Sequence, residues 1–374
     1  MNFSRLCLAL VVISFFNSDL LASKPNVELD SITANQVESL IDIPKFSNIK
    51  VRALMRTEFR AEADKGDDVN TNFRLKPAMI DLSGDLGSHI SFLIRQRFDW
   101  STQIQSDGVP LSTPLAQIQI KANSKLSFTF GKQMMAMGGQ EFSYNPVHVF
   151  HYSLFLNSIQ LFQTGASVRY NDGNHRLAAQ VTKVTNSDFH VEGYKSAWNS
   201  TIYWGATFCN GTFSPNYSYM LTNAGDGNLL HSVMLGHQFN FSRLKLEFDL
   251  FRQNSMRYYS GLLQDYGAVQ AKTTERSLVG FAEYRFPGDR FLLGIKGALD
   301  GRKLTDTGEV VANELTTSAQ LRYVLFPKYG VTLHIVYAHC FDRSNGKYGA
   351  QFDGKDSDMI HTGLVWDFTH SFKR

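Results

Sequence analysis

Apolar and polar residues alternate with period two along almost the whole chain, and this pattern limits the fold more than any other feature. Leu244, Leu246, Phe248 and Leu250 alternate with Arg243, Lys245, Glu247 and Asp249. Val51, Ala53, Met55 and Phe59 alternate with Arg52, Arg56, Glu58 and Arg60. Ile90, Phe92, Ile94 and Phe98 alternate with Ser91, Arg95, Arg97 and Asp99. Successive side chains of a strand point to opposite faces, so each run has one greasy and one wet face. A soluble sandwich gives that pattern too. Length separates the two: many runs span about 10–13 residues, whereas soluble strands average about 5–6 and tilted membrane strands need about 9–11. About 16 such segments, within a range of about 14–18, predict an all-β fold: a transmembrane antiparallel β-barrel.

Composition agrees once the alternation is known. The mean hydropathy of -0.21 averages a lipid face with a water face. The 29 Phe, 15 Tyr and 4 Trp suit aromatic girdles at the two interfaces. A net charge of +3 is too small to imply nucleic acid binding. Arg5, the apolar run Leu6 to Phe16 and the small exit Ala22-Ser23 read as a secretory signal. The expected organisation is a signal peptide over 1–23, a short periplasmic segment over 24–46 and a barrel over 47–374. Past the signal no run is apolar over about 18 residues, which excludes a multi-helix membrane protein. Cys209 and Cys340 fall on segments of opposite direction, which argues against a disulfide. At the C-terminal end Leu364, Trp366, Phe368, His370 and Phe372 share one face, as in the closing strand that outer-membrane assembly machinery reads. The lipid bilayer and lipopolysaccharide are then the expected surroundings.

Charge must face the lumen of such a barrel, because at mid-bilayer it costs about 2–4 kcal/mol on the lipid face. Parity assigns thirteen bases to the lumen: Arg52, Arg56, Arg60, Arg74, Lys76, Arg95, Arg97, Arg169, Arg243, Lys245, Arg285, Lys296 and Arg322. It assigns seven acids: Glu58, Asp99, Glu247, Asp249, Glu283, Asp300 and Asp367. A cationic lumen concentrates anions. Arg95 and Arg97 lie about 7 Å apart on one strand face. Such arginines either form an anion-selective ladder or pair with lumen carboxylates and stiffen the wall. The rhythm breaks between Gly131 and Phe162, a stretch rich in Met, Gly and aromatics. A segment near 132–161 is expected to fold inward and narrow the pore, with an ordinary long loop as the alternative.

Phe73-Arg74-Leu75-Lys76, with Ser91 to Phe98, resembles paired early strands of the phosphate-selective porin O and P family, in its Bacteroidetes-type version. Gly131-Lys132-Gln133, Gly138-Gly139, Glu141-Phe142 and Asn145-Pro146 resemble that family's constriction region, and Thr164-Gly165 fits the start of the next strand. The resemblance implies an outer-membrane porin of 16 strands, with a homotrimer as a candidate assembly, that passes small anions or other solutes. It implies that Lys132 belongs to the pore, and that Gly138, Gly139, Glu141, Asn145 and Pro146 belong to the constriction loop; His148 and His151 are placed in the same loop by the break in the alternation. The basic constriction of well-known members is missing here, since Lys132 is the one base in 132–162. The alginate-export barrels share a similar Gly-Lys/Arg-Gln turn, which would imply a carbohydrate channel.

Enzyme chemistry finds little support. There is no Gly-x-Ser-x-Gly, His-Glu-x-x-His or Cys-x-x-Cys. His148, His151, Ser153 and Asn157 form one contiguous run, whereas a nucleophile and its base converge from separate elements. His148, His151 and Glu141 could together hold a metal, but loop histidines at this spacing are more often structural. The expected function is a passive, anion-preferring diffusion channel for small solutes, without catalytic residues, metal or cofactor. A barrel enzyme and a secreted, ligand-binding β-sandwich are the readings from other classes.

Overall fold

The computed structural model describes residues 46–64, 68–145, 148, 150–194, 196–259, 269–344 and 354–372. The expected signal peptide and residues 24–45 lie outside the described residues, as does Pro146.

Sixteen antiparallel strands form one closed barrel, each paired with its neighbours in sequence, and β1 closing on β16. They are β1 (Phe46–Asp64), β2 (Asn70–Leu86), β3 (Ile90–Arg97), β4 (Leu115–Lys121), β5 (Leu126–Met134), β6 (Phe162–Asn171), β7 (His175–Lys183) and β8 (Trp198–Ala206). They continue with β9 (Phe213–Gly225), β10 (Asn228–Phe241), β11 (Leu244–Tyr259), β12 (Val269–Arg285), β13 (Phe291–Leu304), β14 (Val310–Phe326), β15 (Val331–Asp342) and β16 (Ser357–Phe372). The seven connections that start at residues 87, 122, 172, 207, 242, 286 and 327 share the end where β1 begins, here the turn end. The opposite loop end carries the 98–114, 135–161 and 184–197 connections.

Burial is inverted relative to a soluble domain. Ile118, Phe130, Val181, Ile202, Leu278, Ile295 and Ile335 are exposed on the outside, while Glu58, Asp81, Glu247, Asp249, Glu275 and Arg302 are buried within. That is the arrangement expected of a wall whose solvent is lipid. Aromatic rings gather on the outer face at the turn end. Phe213 stacks on Phe239 with centroids 5.0 Å apart, while Phe291 meets Tyr323 at 4.7 Å and Trp204 meets Tyr217 at 5.4 Å, both pairs tilted.

The wall is uneven in height. β3 to β8 have 7 to 10 residues. β1 has 19, β2, β12 and β14 have 17 each. Two register shifts interrupt β1–β2, one between Ser47 and Lys50 and one between Met55 and Thr57; at the second, Met55 pairs with Ala78 but Thr57 with Leu75, so Arg56 faces both Lys76 and Pro77. Proline has no N–H to give to the ladder, which favours a break there.

Candidate functional site

The lumen has two unlike sides. On β1–β3 and β15–β16 the facing side chains form a net of ion pairs. Arg52 makes two hydrogen bonds to Asp367, at 2.8 and 2.7 Å. Arg95 holds Asp81 the same way, at 2.6 and 2.7 Å, and Arg97 holds Asp99. Arg60 pairs with Glu62 at 2.6 Å. Glu58 receives both Arg56, at 3.0 Å, and Arg74, with His361 beside it at 3.2 Å and His334 at 3.7 Å. Planar guanidinium groups suit such two-point contacts with carboxylates. The arginine row is therefore an ion-pair wall rather than a ladder of bare cations.

The other side, β9–β13, is covered by the segment between β5 and β6. Its backbone is stitched to the wall: Gly138 N–H donates to Ser218 Oγ at 2.7 Å and Gly139 N–H to Asn216 Oδ1 at 2.6 Å. Gln140 and Glu141 N–H donate to the two oxygens of Asp249, at 2.6 and 2.8 Å. Both glycines are needed for this approach. A Cβ on Gly138 would lie 2.7 Å from Met234 O, and one on Gly139, where φ is +100°, would run into the Phe251 ring. Gly236 completes the contact, since a Cβ there would lie 2.6 Å from Gly139 Cα. Met135, Met137, Phe142, Phe155, Leu156 and Ile159 of the segment then form a core with Met220, Leu230, Met234, Phe251, Val279 and Ala298 of the wall. Phe155 lies flat on Phe251, centroids 4.6 Å apart.

Past this core the segment reaches the charged side. Asn145 donates to Asp367 at 2.7 Å, and Arg56 lies over the Phe150 ring at 4.7 Å. Tyr144 donates to Glu247. Lys296 from β13 is fixed by Glu141 and by the His151 carbonyl. Burial, with Arg322 next in effect, pushes His148 down to about 3; burial and Lys296 push His151 down to about 4, so both imidazoles are neutral at pH 7. Ser153 caps the short helix α1 (Leu154–Ser158), accepting from Leu156 N–H while its hydroxyl donates to Glu141. That hydroxyl is thus committed to structure rather than to His148 or His151. No cluster of metal ligands occurs among the described residues.

Several expected positions move. Lys132 is not in the lumen. It pairs with Ala116 on the outer parity of β5, and the β3–β4 connection buries it: its ammonium donates to Gln105 at 2.8 Å and lies 3.5 Å from Asp107. Arg243 is in the two-residue turn between β10 and β11, because the alternation runs on through a hairpin too short to interrupt it. Lys76 stands exposed in the β2 bulge, where parity no longer assigns a face. Lys245 pairs with Glu247 at 3.1 Å, and Arg322 with Glu283. Sequence parity also missed lumen groups. Register turns Lys50, Lys121, Arg176, Arg257 and Arg302 inward, together with Glu62, Asp81, Asp85, Glu275, Glu314 and Asp342. These nearly balance, so the expected cationic surplus thins over most of the lumen. The shared parity of Asp81, Ser83 and Asp85 was a usable signal.

At the turn end the balance differs. Lys50, Lys121, Arg169, Arg176, Lys245 and Arg285 lie on the lumen face within a few residues of that rim. Three acids stand at that level: Asp85, 3.5 Å from Lys121, Glu247, 3.1 Å from Lys245, and Glu283, the register partner of Lys245, so the six bases outnumber them two to one. Next to this ring a cavity of about 490 Å³ is lined by Tyr144, His148, Lys245, Glu247, Arg285 and Arg322, among others.

Known proteins agree with this architecture. The family described as phosphate-selective porin O and P matches residues 49–290. An anion-selective porin from Comamonas acidovorans superimposes with a TM-score of 0.59 at 14% identity, over 87% of this chain and 100% of that one. The outer membrane channel DcaP of Acinetobacter baumannii gives 0.59 at 13%, over 86% and 97%. OmpT of Vibrio cholerae, in a trimer form, gives 0.59 at 9%, over 86% and 99%. At these identities the superpositions speak for the fold alone. The chain matches no curated protein. The family match spans well over half of the chain, and with the closed 16-strand barrel it places this chain in the phosphate-selective porin O and P family of bacterial outer-membrane porins.

Proposed function

We propose that this porin is a passive channel for small solutes that prefers anions, and that the 135–161 segment is its constriction. The ring of six bases at the turn end, the periplasmic mouth in this reading, carries the anion preference. Those bases face a water-filled mouth in a low-dielectric wall, which concentrates counter-ions. The constriction reading is supported by the hydrogen bonds that take the segment from β9 and β11 to Asp367 on β16. The passage then runs beside β3 and β4, whose lumen residues Ser91, Leu93, Arg95, Gln117 and Gln119 stay half-buried while Met220, Met234 and Phe251 opposite are sealed. Guanidinium and ammonium groups favour chloride, phosphate and carboxylates alike, so phosphate is one substrate of the class. Conduction needs no catalytic group, and the buried carboxylates are occupied by ion pairs and backbone donors. The low wall of β3–β8, with Lys132 capped on its outer face, is the side suited to a neighbouring copy in a homotrimer.

The test is the reversal potential of single channels in a planar bilayer under a KCl gradient. Wild type should be anion-selective, and the triple variant R169Q/R176Q/R285Q should lose most of that selectivity with its conductance retained. Cation selectivity of the wild type would overturn the anion reading and leave the barrel untouched.

A further inference from the structure

The outer wall carries a charge anomaly remote from the lumen. Arg252 on β11 and Arg276 on β12 are direct register partners, and both are exposed. Their parity is outward. The adjacent Gln253 and Glu275 are buried in the lumen, while Leu250 and Leu278, two residues nearer the turn end, are exposed on the lipid face. Lys272 on β12 and Lys303 on β13, which pairs with Thr274, continue the outward patch towards the loop end. Among the described residues no carboxylate pairs with any of these four side chains. Like charges directly opposite one another destabilise a sheet, and arginine facing lipid is costly unless it reaches the interface. Among the described residues the patch therefore has no counter-charge, and an anion of the surrounding membrane would supply one.

Its height says which kind. Tyr284, in ring contact with Phe286 at 5.1 Å, marks the aromatic girdle at the turn end. Arg276 lies eight residues further along β12. At about 3.3 Å per residue and a tilt of about 40°, that is about 20 Å of height, on an apolar band about 25 Å tall. The guanidinium pair thus sits just below the far edge of the band, from where the side chains snorkel into the headgroup layer. Lys272 stands about 10 Å higher by the same rise and tilt. Below the pair the wall is shallow. Gly301 is the register partner of Arg276, Gly280 pairs with Gly297, and a Cβ on any of the three would meet open space.

We infer that Arg252, Arg276, Lys272 and Lys303 bind the phosphate-bearing headgroup of an outer-leaflet lipid, with an acyl chain lying along the glycine track. Two guanidinium forks and two ammonium groups match a headgroup with more than one phosphate.

The test is native mass spectrometry of the folded porin in detergent doped with lipid A or with its phosphate-free counterpart. Wild type should retain the phosphorylated lipid at least tenfold better than R252Q/R276Q, and neither should retain the phosphate-free form well. Heat-modifiable gel migration checks that the double variant is folded, and its reversal potential should match wild type, which separates this site from the lumen. Equal retention of phosphorylated lipid by both proteins would overturn the assignment. So would equal retention of the two lipids by wild type, or loss of oligomer with lipid retention unchanged, which would assign the patch to a neighbouring chain.

Discussion

Where Glu58 faces Arg56 and Arg74, the lumen wall is a net of charge; where Phe251 faces Phe155, it is a hydrocarbon core. The two sides do different work with the same strand geometry. Ion pairs let β1–β3 present polar groups to a passage without leaving buried charge alone, which would be strongly destabilising. Packing on β9–β13 instead immobilises a segment of backbone inside the barrel. The difference teaches that "lumen-facing" does not mean "pore-lining": half of this interior is core in the ordinary sense, and one side is left for solutes.

The comparison can be broken from either side. The largest effect is expected at the seam. Gly236→Val pushes on Gly139 Cα and Asn216, and should free the 135–161 segment and raise single-channel conductance several-fold. A conductance equal to wild type would show that the segment does not limit flow. Glu58→Ala strips two arginines of their carboxylate and should cost about 3–5 kcal/mol, read as a lower temperature for the heat-modifiable gel shift. It should also strengthen anion selectivity, whereas a charge change buried in the packed half should not. Asp249→Asn removes one acceptor from the Gln140 and Glu141 N–H pair, at about 1–3 kcal/mol, and should appear as flickering current rather than as altered selectivity. The smallest effect is on pH. His148 and His151 are held below the ordinary histidine value of about 6.5, so their contribution is intact above that pH and is lost as pH falls towards 4. Acidification through that window should loosen the segment and increase current noise, and a His148→Gln/His151→Gln variant should lack the response.

Much of the fold was legible because one rule, charge inward and grease outward, acts on every strand. All sixteen segments follow from it. It fails where something other than lipid covers the outer face. Lys132 has the parity of Phe128 and Phe130, and only the 98–114 connection, which carries Gln105 and Asp107, makes that tolerable. It fails at Arg243 because a two-residue hairpin leaves no gap in the rhythm, and at Lys76 because a bulge resets it. The break in rhythm at 131–162 was visible, and so were its glycines, but their partners were not. Ser218, Asn216 and Asp249 are distant in sequence, and nothing local to Gly138 points to them. The pairing of the arginines was hidden for the same reason: Arg52 and Asp367 stand 315 residues apart.

The most direct test compares the two sides of the lumen in one open channel. In a background with Cys209 and Cys340 replaced by serine, Gln117→Cys reports on the β4 side and Met220→Cys on the packed side. A small charged thiol reagent should step the current down within seconds at position 117 and leave it unchanged at position 220. Fast modification at 220, with 117 silent, would contradict the placement of the passage and of the segment that confines it.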